Sequence, residues 1–173
     1  MDDQPSRQET LKAILHYFYK ENTKSGPHSR YNLKYHLVWI TKYRRSFMVG
    51  KLAARARQVL FEIAKEYGFF IIAVEIMPDH VHLLVEAPPR YSPTTIVQHF
   101  KGISSKTLRK EFLDVIKQFI WKEGTLWARG YYIASVADKI TTEVIREYIA
   151  TQKSEEKSIE HGDSLGQTQK TLF

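Results

Sequence analysis

Hydrophobic positions recur along this chain with two different periods. Between Lys51 and Tyr67, the residues Leu52, Ala56, Val59, Leu60, Ile63, Ala64 and Tyr67 fall on one helical stripe, and Gly68 follows as a C-terminal stop. Ser92-Pro93 places a cap and then a proline at the start of a second helix, continued by Ile96, Val97, Phe100, Ile103 and Leu108. The stretch Thr141–Gln152 predicts a third. Four segments rich in branched and aromatic residues read as strands: Tyr31–Ile40, Phe69–Met77, His80–Glu86 and Gly130–Val136. Pro78-Asp79 makes the turn between the second and third. The order β-α-β-β-α-β-α predicts an α+β fold, a ferredoxin-like (split β-α-β) sandwich. Its antiparallel sheet carries helices on one face, with one added C-terminal helix. Residues 111–129 receive no element in this reading.

The two ends differ from this core. Residues 1–29 read as an extension, with one helix suggested by Leu11, Ile14, Leu15 and Phe18 within Gln8–Glu21. The stretch ENTKSGPHSR that follows has the composition of a linker. Residues 30–152 hold the core, and 153–173 form a polar tail expected to be mobile.

Composition narrows the class. The chain has 173 residues and 43% hydrophobic positions, enough for one domain with a substantial core. Its start, MDDQPSRQET, lacks the features of a signal peptide, and no apolar run approaches the roughly 18 residues of a membrane span. Cysteine is absent, which excludes disulfides and thiolate metal sites. A cytoplasmic location is expected. The net charge of +7 and a pI of about 9.5 favour a polyanionic partner such as nucleic acid.

The segment MPDHVHLLVEAPP concentrates the candidate chemistry. In a strand, Val81, Leu83 and Val85 face one way, and His80, His82, Leu84 and Glu86 face the other. Two imidazoles two residues apart can reach one divalent ion, and Val81 anchors the strand between them. For an isolated His-x-His pair, a solvated sheet face is the commoner explanation. His36 shares the parity of Lys34 and Val38 in the first strand. With His16, His28, His99 and His161, it reads as a surface or satisfied residue. A third ligand is needed, and the last helix offers Gln152, with Tyr148 four residues before it on the same face. Periodicity alone would place Tyr148 in the apolar stripe of Val144, Ile145 and Ile149.

Taken together, MPDHVHLLVEAPP, NLKYHLVWITKYRRSFM, LWARGYYIASV and YIATQ resemble the ordered motifs of the single-tyrosine HUH transposases. These enzymes move small bacterial and archaeal insertion sequences as single strands. The resemblance spans about Arg30 to Gln152. It implies that His80, His82 and Gln152 hold a divalent metal, Mg²⁺ or Mn²⁺, and that Tyr148 is the nucleophile. The implied reaction is transesterification of single-stranded DNA through a 5′-phosphotyrosine. The implied partners are DNA with hairpin ends and a second copy of the chain, the active sites being shared between subunits. Basic residues at Lys42, Arg44 and Arg45, and at Lys101, Lys106 and Arg109, are candidates for DNA contact, with Tyr43 interleaved among the first group. Trp127, Arg129, Tyr131 and Tyr132 read as structural. Alternatives are a domesticated enzyme acting on palindromic repeats, a decayed DNA-binding copy, and a non-catalytic nucleic-acid-binding module of the same element order. For the last, the RNP1 pattern of RNA-recognition domains is absent.

Overall fold

A computed structural model describes residues 24–26, 28–120, 124–136, 144, 145 and 147. It begins with a small antiparallel pair, β1 (Lys24–Gly26) and β2 (Ser29–Tyr31), joined in register Lys24↔Tyr31. This corrects the linker expectation for part of that segment. Strands of three polar residues carry no alternation to read, so composition alone suggested a loop. The Lys24 ammonium reaches Glu86 at 3.7 Å and lies 4.1 Å from the Phe70 ring centroid, which ties the pair to the main sheet.

The main sheet contains β3 (Lys34–Ile40), β4 (Phe70–Ile76), β5 (His80–Glu86) and β6 (Tyr132–Val136) in the spatial order β4-β5-β3-β6. Every pairing is antiparallel, as the split β-α-β reading requires. Helix α1 (Gly50–Tyr67) buries Leu52, Ala56, Val59, Leu60, Ile63 and Ala64, the predicted stripe apart from the half-buried Tyr67. It ends at Gly68 with φ 73°, and the Gly68 N–H donates to Ala64 O. A left-handed cap of this kind suits glycine because no Cβ meets the preceding turn.

The second helix is more complex than its pattern. Ser92 Oγ accepts from Thr95 N at 3.2 Å and starts α2 (Pro93–Gln98) as predicted. One π-helical turn, His99–Ile103, then interrupts the helix before α3 (Ser104–Glu111). A short α4 (Leu113–Ile116) follows. Leu37, Trp39, Val81, Leu83 and Val85 project from one sheet face into a core shared with α1, Ile96, Val97, Phe100 and Leu108. Burying one such aliphatic side chain contributes roughly 1.5–3 kcal/mol. This packing is what holds β5 rigid.

The opposite face is not open water. Leu84 and Val136 are buried there, with Ile72, Ala73 and Ile145 packed against them. Val144, Ile145 and Glu147 are helical, in agreement with the helix expected over 141–152. The expected N-terminal helix and the tail lie outside the described residues, as do Tyr148 and Gln152. Among the described residues, no helix is long and apolar enough to cross a membrane.

Candidate functional site

The histidine pair sits where strand alternation puts it, on the face away from α1 and α2. His80 lies opposite Ile40 and His82 opposite Val38 in the β5–β3 register. Their ring centroids are 5.0 Å apart. His82 is only 6% exposed, so the solvated-face alternative fails for it.

Each imidazole is oriented by a neighbour. His80 Nδ1 lies 2.5 Å from Asp79 Oδ1. That hydrogen bond, with a second from Arg44, holds the Asp79 carboxyl down at about 2 against the cost of partial burial. An ionised carboxylate only accepts, so His80 Nδ1 carries a proton and donates, which leaves Nε2 as the ring nitrogen that a metal could reach. His82 Nδ1 lies 3.3 Å from His36 Nε2, with the two rings stacked at 5.5 Å. Burial, reinforced by the neighbouring His80 and His36, lowers the His82 imidazole to about 4. Burial also lowers His36. Both rings are therefore neutral at ordinary pH, the state in which imidazole binds metals. Coordination through His80 and His82 would run through Nε2 of each ring, with the Nδ1 partners setting ring orientation.

Four residues around the histidine pair escaped the sequence reading as contributors. His36 read as a satisfied residue, which it is, but its partner is His82. Strand parity places His36 on a face, and only the β3–β5 register brings it diagonal to His82. Asp79 read as half of a turn; its adjacency to His80 was the available signal. Glu75 is the cross-strand neighbour of His82, 8% exposed, with Oε2 at 3.4 Å from Arg57 Nη2. Tyr132 is 47% exposed on the same face, and its ring meets His36 edge-on with centroids 6.2 Å apart.

The basic candidates divide into two places. Lys42, Tyr43, Arg44 and Arg45 form the loop after β3. Tyr43 is 69% exposed, with the Lys42 ammonium 5.0 Å from its ring. Arg44 donates Nε to Asp79 Oδ2 at 2.9 Å, and Arg45 is exposed. Lys101, Lys106 and Arg109 line a cleft of about 750 Å³ between the π turn, α3 and residues 124–131. Lys101 differs from the other two. Its ammonium donates to the carbonyls of Ala128, Arg129 and Gly130 at 2.8, 3.1 and 2.7 Å. Burial lowers it to about 8, while the three carbonyls hold its charge. Lys101 thus secures the segment leading into β6. Arg109 Nη1 is buried with no hydrogen-bond partner among the described residues. Lys106 and Arg129 add exposed positive charge at the cleft.

The far wall of the cleft is structural, as expected for Trp127. Its Nε1 donates to Ser104 Oγ at 2.9 Å, and its ring meets Trp39 edge-on at 5.9 Å. Ser104 Oγ in turn donates to Phe100 O, one helical turn back. Tyr131 and Tyr132 are more exposed than a purely structural role needs.

Known proteins match this chain along most of its length. A family model described as "Transposase IS200 like" matches residues 29–152. The ISDra2 transposase TnpA of Deinococcus radiodurans is 36% identical over 133 residues, covering 77% of this chain and 93% of that protein. The transposase for insertion sequence element IS200 of Salmonella typhimurium is 34% identical over 134 residues, covering 78% and 86%. Among solved structures, a D. radiodurans chain described as a candidate transposase superposes with a TM-score of 0.60 at 36% identity, covering 75% of this chain and 97% of that one. A REP-associated tyrosine transposase bound to a REP hairpin superposes with a TM-score of 0.56, covering 76% and 74%. At 12% identity, that second likeness concerns the fold alone.

Proposed function

The chain belongs to the IS200-like transposase family, and from that premise we propose that it cleaves and rejoins single-stranded DNA through a covalent tyrosine link. The observation that carries this reading is the pair of imidazoles at His80 and His82, each with its Nδ1 held by a neighbour. Such a donor set suits a divalent ion that accepts neutral nitrogen, and Mn²⁺ fits it more readily than Mg²⁺. Among the described residues, no cluster of three or more His, Cys, Asp or Glu could hold a metal. The third ligand in this reading is the Gln152 amide. When bound, the ion polarises the scissile phosphate and steadies charge on the leaving oxygen.

The phenol of Tyr148 is the nucleophile. Its oxygen forms a bond to phosphorus, the bond from phosphorus to the 3′ oxygen breaks, and the released strand end takes up a proton as a 3′-OH. A later 3′-OH attacks the phosphotyrosine, so the bond energy is conserved and no nucleotide cofactor is consumed. The chain works as a homodimer, with the tyrosine helix of one copy serving the histidine face of the other. Its DNA partner has hairpin ends. The exposed loop around Tyr43 and Arg45 contributes stacking and phosphate contacts, and Lys106 and Arg109 line a second basic surface. One guanidinium nitrogen of Arg109 is buried with no hydrogen-bond partner among the described residues, and an anion would satisfy it, which supports that assignment.

Cleavage of an end-labelled single-stranded hairpin oligonucleotide tests the reading. Cleavage should require Mn²⁺ or Mg²⁺ and cease in His82→Ala, while that variant still retards the DNA on a native gel. Equal cleavage in a chelator would refute the metal-dependent chemistry. Binding without cleavage by the wild type on cognate ends would favour the non-catalytic alternative.

A further inference from the structure

We propose that Arg44 and Asp79 form a positioning relay, which ties the DNA-facing loop after β3 to the imidazole of His80. The proposal rests on reading His80 as a metal ligand, and it adds two residues that act through His80.

The Asp79 carboxylate is divided between two partners. Oδ1 lies 2.5 Å from His80 Nδ1, and Oδ2 accepts from Arg44 Nε at 2.9 Å. The Asp79 and His80 side chains are each 18% exposed, whereas Arg44 is 60% exposed. The relay therefore runs from the surface inward. Its inner bond keeps the proton on Nδ1 and turns Nε2 outward as the donor nitrogen. Its outer bond holds Asp79 in the rotamer that makes this possible.

The backbone around Arg44 is unusual in a way that serves the contact. Tyr43 and Arg44 have φ values of 60° and 53°, and both are non-glycine residues in the left-handed region. Such conformations persist only where surrounding bonds over-determine them. Here Arg44 N donates to Thr41 O at 3.0 Å, and Thr41 Oγ1 donates to Arg45 O at 2.8 Å. Thr41 N donates to Asp79 O at 2.8 Å, and Met48 N to Pro78 O at 2.9 Å. The loop is thus bonded to the very turn that carries Asp79. The strained pair delivers the guanidinium to the carboxylate.

A guanidinium has five N–H donors in a planar fork. With Nε on Asp79, its outer nitrogens can still hold a phosphate oxygen on the exposed side. Occupancy of Arg44 by DNA would then be felt at His80 through two hydrogen bonds. A lysine, as a point charge, would not hold both partners in one plane.

The test uses the full chain carrying Tyr148→Phe, so that DNA is not consumed. Two readouts are taken: the ¹⁵N spectrum of the imidazoles without metal, and the Mn²⁺ dissociation constant by electron paramagnetic resonance. The signal of His80 is assigned from its loss in His80→Gln. Unsubstituted His80 should be the Nδ1–H tautomer, and Asp79→Asn should shift it toward the other form. Asp79→Asn should weaken Mn²⁺ binding by about 10- to 100-fold, the range for loss of a residue orienting a metal-bound histidine. Arg44→Met, at a more exposed position, should weaken it less, and should have no further effect once Asp79→Asn is present. An unchanged His80 tautomer in Asp79→Asn would overturn the relay. So would an Arg44→Met effect of equal size with and without Asp79. If unsubstituted His80 binds no Mn²⁺, the ligand reading fails, and the metal-free tautomer decides the relay by itself.

Discussion

Acid should destabilise the metal-free protein through His82 before its carboxylates titrate. The structure buries this imidazole beside two others, and its pKa falls from 6.5 to about 4. In the unfolded chain it titrates normally. Between these two values the unfolded state binds a proton that the folded state refuses, so stability falls as pH drops from 6.5 toward 4. A difference of 2.5 units corresponds to about 3 kcal/mol at 1.36 kcal/mol per unit. That is a large share of the roughly 5–15 kcal/mol that keeps a domain folded. His36, also lowered by burial, adds in the same direction. The assay is urea unfolding in a chelating buffer at half-unit intervals from pH 7.5 to 4.5. The wild-type midpoint should decline steadily below pH 6.5. His82→Leu, which continues the apolar Leu84 side of the strand, should lose most of that slope, because every other histidine is common to both proteins. A flat wild-type profile, or an equal slope in His82→Leu, would refute the buried, neutral His82.

Other perturbations separate structural from DNA-facing residues. Ser104→Ala should cost about 1–3 kcal/mol by thermal unfolding, because it leaves the buried Trp127 Nε1 without its acceptor. Arg109→Met should leave the melting temperature unchanged, weaken hairpin binding and lower the slope of log affinity against log salt by about 1. If the slope is unchanged, the Arg109 cleft does not meet phosphate. Mixing His82→Ala with Tyr148→Phe should restore cleavage if the tyrosine helix serves the partner's histidines, since each mixed dimer regains one intact site. No recovery would indicate that each chain completes its own site.

The parts of the fold that could be read in advance are those where burial imposes a period. Helix α1 keeps its apolar stripe from Leu52 to Ala64, and its glycine stop falls where the left-handed cap does. The His-x-His alternation followed directly from the pleat of β5. What could not be read depends on relations between segments. The π turn at His99–Ile103 leaves the apolar pattern nearly intact, because Val97 and Leu108 stay buried on either side of it and Phe100 within it. Ser104, bonded to both Phe100 and Trp127, joins residues 23 apart in sequence. His36 meets His82 only through pairing of β3 with β5, 46 residues apart. Lys101 looked like any helix-surface cation, and only the course of residues 128–130 reveals its three carbonyl partners. No propensity rule would place Tyr43 and Arg44 at positive φ; the bonds from Thr41 and the Asp79 turn hold them there.

The central claim is a covalent enzyme on Tyr148, and mass mapping of the DNA adduct addresses it most directly. The protein would be incubated with Mn²⁺ and single-stranded hairpin DNA from the element end, digested, and the nucleotide-bearing peptide sequenced. One modified peptide is expected, carrying phosphate on Tyr148, with no adduct in Tyr148→Phe. An adduct on Tyr132, which shares the histidine face, or one that persists undiminished in Tyr148→Phe, would contradict it.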